Sequence, residues 1–347
     1  MTKARTNPTA CLQIGDLPQQ IIPPPAAGGG ISRWWGDTAR PQAGSLLEEA
    51  AARLDENGIE EAALNAQWLL ASALGIGRLE LLARREMETP SAAQRVFKKN
   101  LDLKVRGLPL AYILGEQNFC GLKLKVDKNV LVPRPETEEL VDLVCSSLKK
   151  HSGPLMAPAA GLQGKAITAA DSPPKAEQAS VTLLDFGTGS GAIALALAAR
   201  FPELKITAVD ISARALKRAR ENAGLLGLSG RVNFLKADSL GAVPGNYHII
   251  VANPPYIPTG ALAGLQVEVR FEPKFALDGG ADGLKIVRRL IKEAPRSLEK
   301  GGELFIETGA GQWKNLAGLF SGRFWSGSRA LKDFSGKQRF IYGRARD

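Results

Sequence analysis

The chain has 347 residues, 44% hydrophobic and 23% charged, with a net charge of +10. This is the composition of a soluble globular protein too long for one small core and suited to two domains. Three scattered cysteines, Cys11, Cys120 and Cys145, and two histidines, His151 and His248, argue against a disulfide framework or a metal site and for a reducing compartment, read here as the cytoplasm.

No apolar run approaches the roughly 20 residues that span a bilayer, so no membrane attachment is expected. The N-terminus lacks the apolar core of a secretory signal, and an organellar transit peptide is the minor alternative. Residues 1–43 contain "IIPPPAAGGG" and show no sustained periodicity, which predicts a disordered leader with Trp34 and Trp35 near its end. In "SLLEEAAARLDENG", Ser45 and Glu48 stand at capping-box spacing, and Leu47, Ala51 and Leu54 share a face before Gly58. "EEAALNAQWLLASALG" and "RLELLARREM" predict two more helices, and "SAAQRVFKKNLDLKVRG" opens on a second capping-box spacing, Ser91 and Gln94. Residues 44–112 are therefore predicted to form a helical bundle with Arg84, Arg85, Lys98, Lys99, Lys104 and Arg106 on a solvated outer face.

The period then changes to two in "NFCGLKLKVDKNVLV", where Leu122, Leu124 and Val126 alternate with Lys123 and Lys125 and "DKN" offers a turn. A hairpin linker over residues 113–135 follows from this, leading into a helix in "PRPETEELVDLVCSSLKK" with Glu136, Glu138 and Glu139 in its first turn. Residues 151–180, rich in Ala, Pro, Gly and Ser, predict a flexible insertion within a domain spanning residues 136–347. The remainder alternates strand and helix patterns from "VTLLDFG" to "GELFIETG", which predicts an α/β fold with a parallel sheet and helices on both faces. Ligands of such sheets bind at the carboxyl ends of the strands.

Two motifs fall there. "LLDFGTGSGAIALALA" runs from a strand through Gly187, Thr188, Gly189, Ser190 and Gly191 into a helix, a loop whose backbone can approach a ligand and present helix N–H groups to it. With Asp210 following at ribose-binding distance, the loop taken alone leaves NAD and S-adenosylmethionine both open. The corner "VANPPY" decides between them. The Asn253 amide oxygen and the Pro254 carbonyl offer two acceptors for a planar NH2 group, Pro255 stiffens the turn, and Tyr256 offers a stacking face. A nicotinamide enzyme has no need of that arrangement, whereas a methyltransferase acting on an amide or aromatic amine does. The bland reading of Asn253 is a turn residue capping its own backbone.

Together "DFGTGSG", Asp210 and "NPPY" resemble class I S-adenosylmethionine-dependent methyltransferases. "PLAYILGEQNFCGLKLKVDKNVLVPRPETEELV", "NPPYIP", "EPKFALDGGADGL", "ELFIETGAGQ" and "DFSGKQRFIYGR" are similar to the branch that methylates the glutamine of the GGQ motif in peptide-chain release factors. The resemblance spans most of residues 44–345. It implies a helical substrate-recognition domain, a linking hairpin and a seven-stranded Rossmann-like catalytic domain. It further implies that Gly187 to Gly191 hold the methionine end of S-adenosylmethionine, that Asp210 binds the ribose hydroxyls and that Asp238 lies near the adenine. Ser239 stands where the family often has a larger side chain, and Asn253 is counted with the cofactor set as well as with the corner. Release factors are the expected partner, with no direct requirement for nucleic acid. The alternatives are an adenine exocyclic-amine methyltransferase, whose target base would flip onto Tyr256, and a binding module without chemistry.

Overall fold

The computed structural model describes residues 41–151 and 181–347. Residues 1–40 of the expected leader, Trp34 and Trp35 included, and residues 152–180 of the expected insertion lie outside the described residues. The chain divides into two compact units, Met1–Gly115 and Glu116–Asp347.

The described part of the first unit is helical: α1 (Ala43–Glu56), α2 (Ala62–Leu74), α3 (Arg78–Ala83), α4 (Ser91–Val105) and α5 (Leu110–Leu114). Leu47, Leu54, Leu69, Leu70, Leu81, Phe97 and Leu101 are buried within it. Neither expected capping box forms. Helix α1 starts ahead of Ser45, because the N–H groups of Ala43 and Gly44 already donate to the carbonyls of Met87 and Arg85, at 2.9 and 2.7 Å. With those groups satisfied by tertiary contact, Ser45 donates to the Gln42 carbonyl instead of capping. Before α4, Gln94 Nε2 donates to the Thr89 carbonyl at 2.7 Å and Ser91 caps nothing. Lys104 also departs from expectation: it is 2% exposed, since its place seven residues after Phe97 puts it on the inner stripe of α4.

The second unit begins with an antiparallel hairpin, β1 (Glu116–Phe119) and β2 (Leu122–Lys125), which turns at Cys120 and Gly121, both with positive φ. The "DKN" stretch does turn the chain, with Val130 N bonded to the Asp127 carbonyl, but no second strand follows it. After α6 (Pro135–His151) come β3 (Thr182–Phe186), α7 (Ala192–Arg200), β4 (Lys205–Asp210), α8 (Ala213–Leu225), β5 (Val232–Lys236), β6 (Tyr247–Ala252), α9 (Lys285–Glu293), β7 (Leu298–Glu307), β8 (Trp325–Lys332) and β9 (Gln338–Ala345).

The large sheet has the order β5-β4-β3-β6-β7-β9-β8, parallel from β5 to β7, with β9 antiparallel to both its neighbours. The central strands are apolar on both faces, as buried parallel strands must be. Leu183, Ile249 and Val251 pack with Leu140, Val144 and Leu148 of α6 and Leu195 of α7. Their alternates Leu184, Ile250 and Ala252 pack with Val287, Leu290 and Ile291 of α9. Chain order reverses across β3 and β6, which are direct neighbours, Phe186 beside Ala252, so their carboxyl ends open the crevice where such sheets bind ligands.

Candidate active site

At the end of β3 the backbone is anchored before it turns: the N–H groups of Gly187 and Thr188 both donate to the Val209 carbonyl, at 2.8 and 2.9 Å. Gly187 and Gly189 then take φ of 78° and 57°, and a side chain on Gly187 would meet no atom within 4 Å. The loop is thus a cradle with open space above its backbone, held in a conformation that suits glycine. Gly191 serves packing instead, because a Cβ there would lie 2.9 Å from Leu195 Cδ1 and 3.2 Å from Ala219 Cβ.

Asp185 holds this loop from beneath. Its Oδ2 accepts from the Thr188 hydroxyl at 2.6 Å and from Ala194 N at 3.2 Å, while Oδ1 is buried without a partner among the described residues. Burial pushes its carboxyl up to about 7, against the pull of those two hydrogen bonds. At the end of β4, Asp210 accepts from Gly189 N at 2.9 Å and from Ser212 N at 2.8 Å. Each oxygen keeps a further lone pair, so the carboxylate can still accept from a vicinal diol. Burial raises this carboxyl too, and the two backbone N–H groups oppose the shift.

A cavity of about 830 Å3 lies above these strand ends. Its wall includes Gly187, Gly189, Asp210, Asp238, Asn253, Pro254 and Pro255 of the expected residues. Thr188, Ser190 and Gly191 stand behind that wall: the Thr188 hydroxyl goes to Asp185, Ser190 is buried, and Gly191 packs helix on helix. Ser239 is half-buried outside the wall, and the Asp238 carbonyl accepts from the Arg289 guanidinium. Tyr256 is also outside the wall, its hydroxyl donating to Glu307 Oε1 at 3.2 Å. Among the described residues, no group of three or more His, Cys, Asp or Glu is placed to hold a metal ion.

The corner after β6 is fixed from three sides. Asn253 Nδ2 donates to Thr137 Oγ1 at 2.9 Å, and Thr137 Oγ1 donates to Glu307 Oε2 at 2.7 Å. Gln312 Nε2 donates to the Tyr256 carbonyl at 2.9 Å. The stretch "EPKFALDGGADGL" folds over the same corner: Gly279 N bonds to the Ile257 carbonyl, and a Cβ on Gly283 would lie 2.3 Å from the Tyr256 carbonyl oxygen. Buried Glu272 accepts from Val132 N and from the Arg134 guanidinium, which ties this stretch to the approach to α6. Asn222, fully buried on α8, donates to the carbonyls of Ser190 and Lys125 and so joins the glycine loop to β2.

Sequence reasoning passed over Asp185, Thr137 and Glu307. For Asp185 a signal was present, since it is the lone carboxylate of an otherwise apolar β3, a costly placement unless the group is hydrogen-bonded or used, whereas Glu307 shares β7 with Glu299 and Glu303 and does not stand out. Thr137 offers none, being one more polar residue in an acidic first turn.

This strand order, with a glycine loop after the central strand and an acid at the end of the next, defines a class I methyltransferase, whose methyl donor is S-adenosylmethionine. Residues 45–115 match a family described as the PrmC N-terminal domain, and residues 173–270 match the methyltransferase small domain. The release factor glutamine methyltransferase of Moorella thermoacetica is 39% identical over 305 residues, 87% of this chain and 98% of its own length. The chain belongs to the release factor glutamine methyltransferase family. The family members of Chlorobaculum tepidum (39% identity, 79% of this chain and 88% of theirs) and Deinococcus radiodurans (34%, 87% and 98%) agree. Among solved structures, a methyltransferase from Pyrococcus furiosus aligns over 65% of this chain and 89% of its own, at 18% identity and a TM-score of 0.42.

Proposed function

We propose that this protein transfers a methyl group from S-adenosylmethionine to the side-chain amide nitrogen of the glutamine in the GGQ motif of peptide-chain release factors. The observation that carries this reading is the placement of Asn253 and Pro254 on the wall of the cavity that Gly187, Gly189 and Asp210 also line. Two acceptors for a planar NH2 group thus share one cleft with the cradle of a methyl donor. The relatives that align with most of the chain are named for this chemistry, and the adenine alternative finds no support in them.

The residues fit the cofactor. The open backbone of Gly187 and Gly189 can take the methionine end, and the free lone pairs of Asp210 suit the ribose diol. Ile211, Ala237 and Ile286 supply apolar wall near Asp238 for the adenine. When bound, the cofactor supplies an electrophilic methyl group.

The rest is the work of the protein. An amide nitrogen is a poor nucleophile because its lone pair is delocalised into the carbonyl. Asn253 Oδ1 and the Pro254 carbonyl accept its two N–H groups, and these bonds strengthen as the nitrogen gains positive charge during transfer. Pro255 stiffens the corner, Tyr256 is anchored through Glu307, and the packed cleft orients the nitrogen for in-line attack. No base acts before transfer; the proton leaves the methylated nitrogen afterwards, when positive charge has made it acidic. Residues 44–112 engage the release factor away from its glutamine, and the reaction takes place in the cytoplasm, where the factor works.

The test is incubation with methyl-labelled S-adenosylmethionine and either a release factor or adenine-containing nucleic acid. Label is expected on the factor and is expected to vanish when the glutamine of its GGQ motif is replaced. Label confined to nucleic acid would overturn the reading.

A further inference from the structure

Glu307 ends β7 with 1% of its surface exposed, and its two carboxylate oxygens accept from different elements: Oε2 from the Thr137 hydroxyl at 2.7 Å and Oε1 from the Tyr256 hydroxyl at 3.2 Å. An ionised carboxylate can only accept, and a threonine hydroxyl has one proton to give. The Thr137 proton is therefore committed to Glu307, which leaves the Thr137 oxygen as an acceptor on its other side. Asn253 lies on that side, at 2.9 Å, and must present its NH2 end. Its Oδ1 is thereby left for the cavity that Asn253 lines.

We infer that Glu307 is a positioning residue that selects the orientation of the Asn253 amide through Thr137, so that an acceptor and not a donor faces the substrate NH2 group. The inference rests on the amide-methylation reading above. The same carboxylate fixes Tyr256, so one buried acid holds both ends of the corner. If Glu307 takes up a proton, the logic inverts. The carboxyl can then donate to Thr137, Thr137 can donate toward Asn253, and a turned amide would meet the substrate NH2 with its own.

Burial pushes the Glu307 carboxyl up to about 7, opposed by the hydrogen bonds from Thr137 and Tyr256 and by the positive charge of Arg339, and reinforced by the negative charge of Glu136. Arg339, on β9, is itself bonded to Asp333 and paired with Glu136 of α6, and Arg134, just before α6, is engaged by Glu272. Among the described residues no full countercharge is thus dedicated to Glu307, and its protonation changes across neutral pH.

Three variants and one spectroscopic signal test the relay. Thr137→Val keeps the shape of the side chain and removes the hydroxyl. Its kcat is expected to fall about 10- to 100-fold with KM for the factor nearly unchanged, the signature of lost alignment. Thr137→Ser is expected to recover most of that loss. The wild-type kcat is expected to rise with pH through about 7, and Glu307→Gln to be slow with that rise absent. The Thr137 pair carries the test if Glu307→Gln does not fold.

The side-chain 1H–15N signals of Asn253, read in the free protein, test the relay without any substrate. They are expected to shift across neutral pH in the wild type and to lose that dependence in Thr137→Val. A folded Thr137→Val enzyme with wild-type kcat, or Asn253 signals indifferent to pH, would overturn the inference. A wild-type protein that labels no release factor would instead count against the substrate reading, and the Asn253 signals would still decide the relay.

Discussion

At the scale of single residues, the site separates contacts that act on the transition state from contacts that act on binding. On the proposed mechanism Asn253 belongs to the first kind, because its acceptor gains strength as charge develops on the attacking nitrogen. Asn253→Ala is expected to lower kcat by about 10²- to 10³-fold, the usual cost of one preorganised contact to developing charge. Its thermal stability should stay near that of the wild type, since among the described residues Asn253 makes a single side-chain bond, to Thr137. A marked loss of stability with normal turnover would instead make it a turn residue. On the same proposal Asp210 belongs to the second kind, with a carboxylate that would grip ribose in ground and transition states alike. Asp210→Ala should raise the dissociation constant for S-adenosylmethionine by roughly 10- to 100-fold, as loss of a charged hydrogen bond does, with a smaller effect on kcat at saturation. Calorimetric titration of the cofactor, set beside turnover, distinguishes the two variants.

At the scale of elements, the corner depends on close approach between stretches far apart in the chain. Gly283 shows this most sharply. Its φ is 76°, and a Cβ would sit 2.3 Å from the Tyr256 carbonyl oxygen, a backbone atom that cannot swing aside. Gly227, at the end of α8, has a similar φ of 69° with nothing within 4 Å. Gly227→Ala should therefore cost about 1 to 2 kcal/mol, the strain of a left-handed residue alone. Gly283→Ala should cost more, and should also slow methyl transfer by displacing Tyr256. Thermal melts of the two proteins beside their kcat values test this, and equal melting temperatures would show that the clash is relieved without cost.

At the scale of the whole molecule, two buried acids at the ends of β3 and β7 couple stability to pH. Asp185 and Glu307 are both pushed from their ordinary values to about 7, chiefly by burial. A raised folded-state value means that the native protein holds protons the unfolded chain has released. Their contribution is therefore complete below the ordinary carboxylate values and is lost as pH rises to about 7. The urea midpoint should fall between pH 5 and 7, and Asp185→Asn, which cannot ionise, should flatten that slope. Activity should run the other way through the same window, because Glu307 must be ionised to orient Asn253. The two compact units also predict a division of labour. A folded fragment Glu116–Asp347 should bind S-adenosylmethionine with near-normal affinity and fail to methylate a whole release factor.

Much of this organisation was legible along the chain. The glycine loop, Asp210 and the Asn-Pro-Pro-Tyr corner each lie within a few residues of a strand end, so local pattern alone placed them on one side of a parallel sheet. The longer helices were legible from an apolar period over their own length, and β3 to β7 from short, largely apolar runs set between the helices. Strands β8 and β9 were not drawn from period, because β8 is an edge strand with little buried surface to leave a pattern. The starts of α1 and α4 were misplaced because a capping spacing does not reveal whether another segment already satisfies the helix N–H groups, as Arg85 and Met87 do for α1. The sequence by itself determined the class of sheet and placed the glycine loop and the corner at its strand ends. Only the tertiary structure brought Thr137 to Glu307, 170 residues away, and set both against Asn253. A hydrogen bond across that separation imposes no period on either segment, yet it determines which end of one amide faces the substrate.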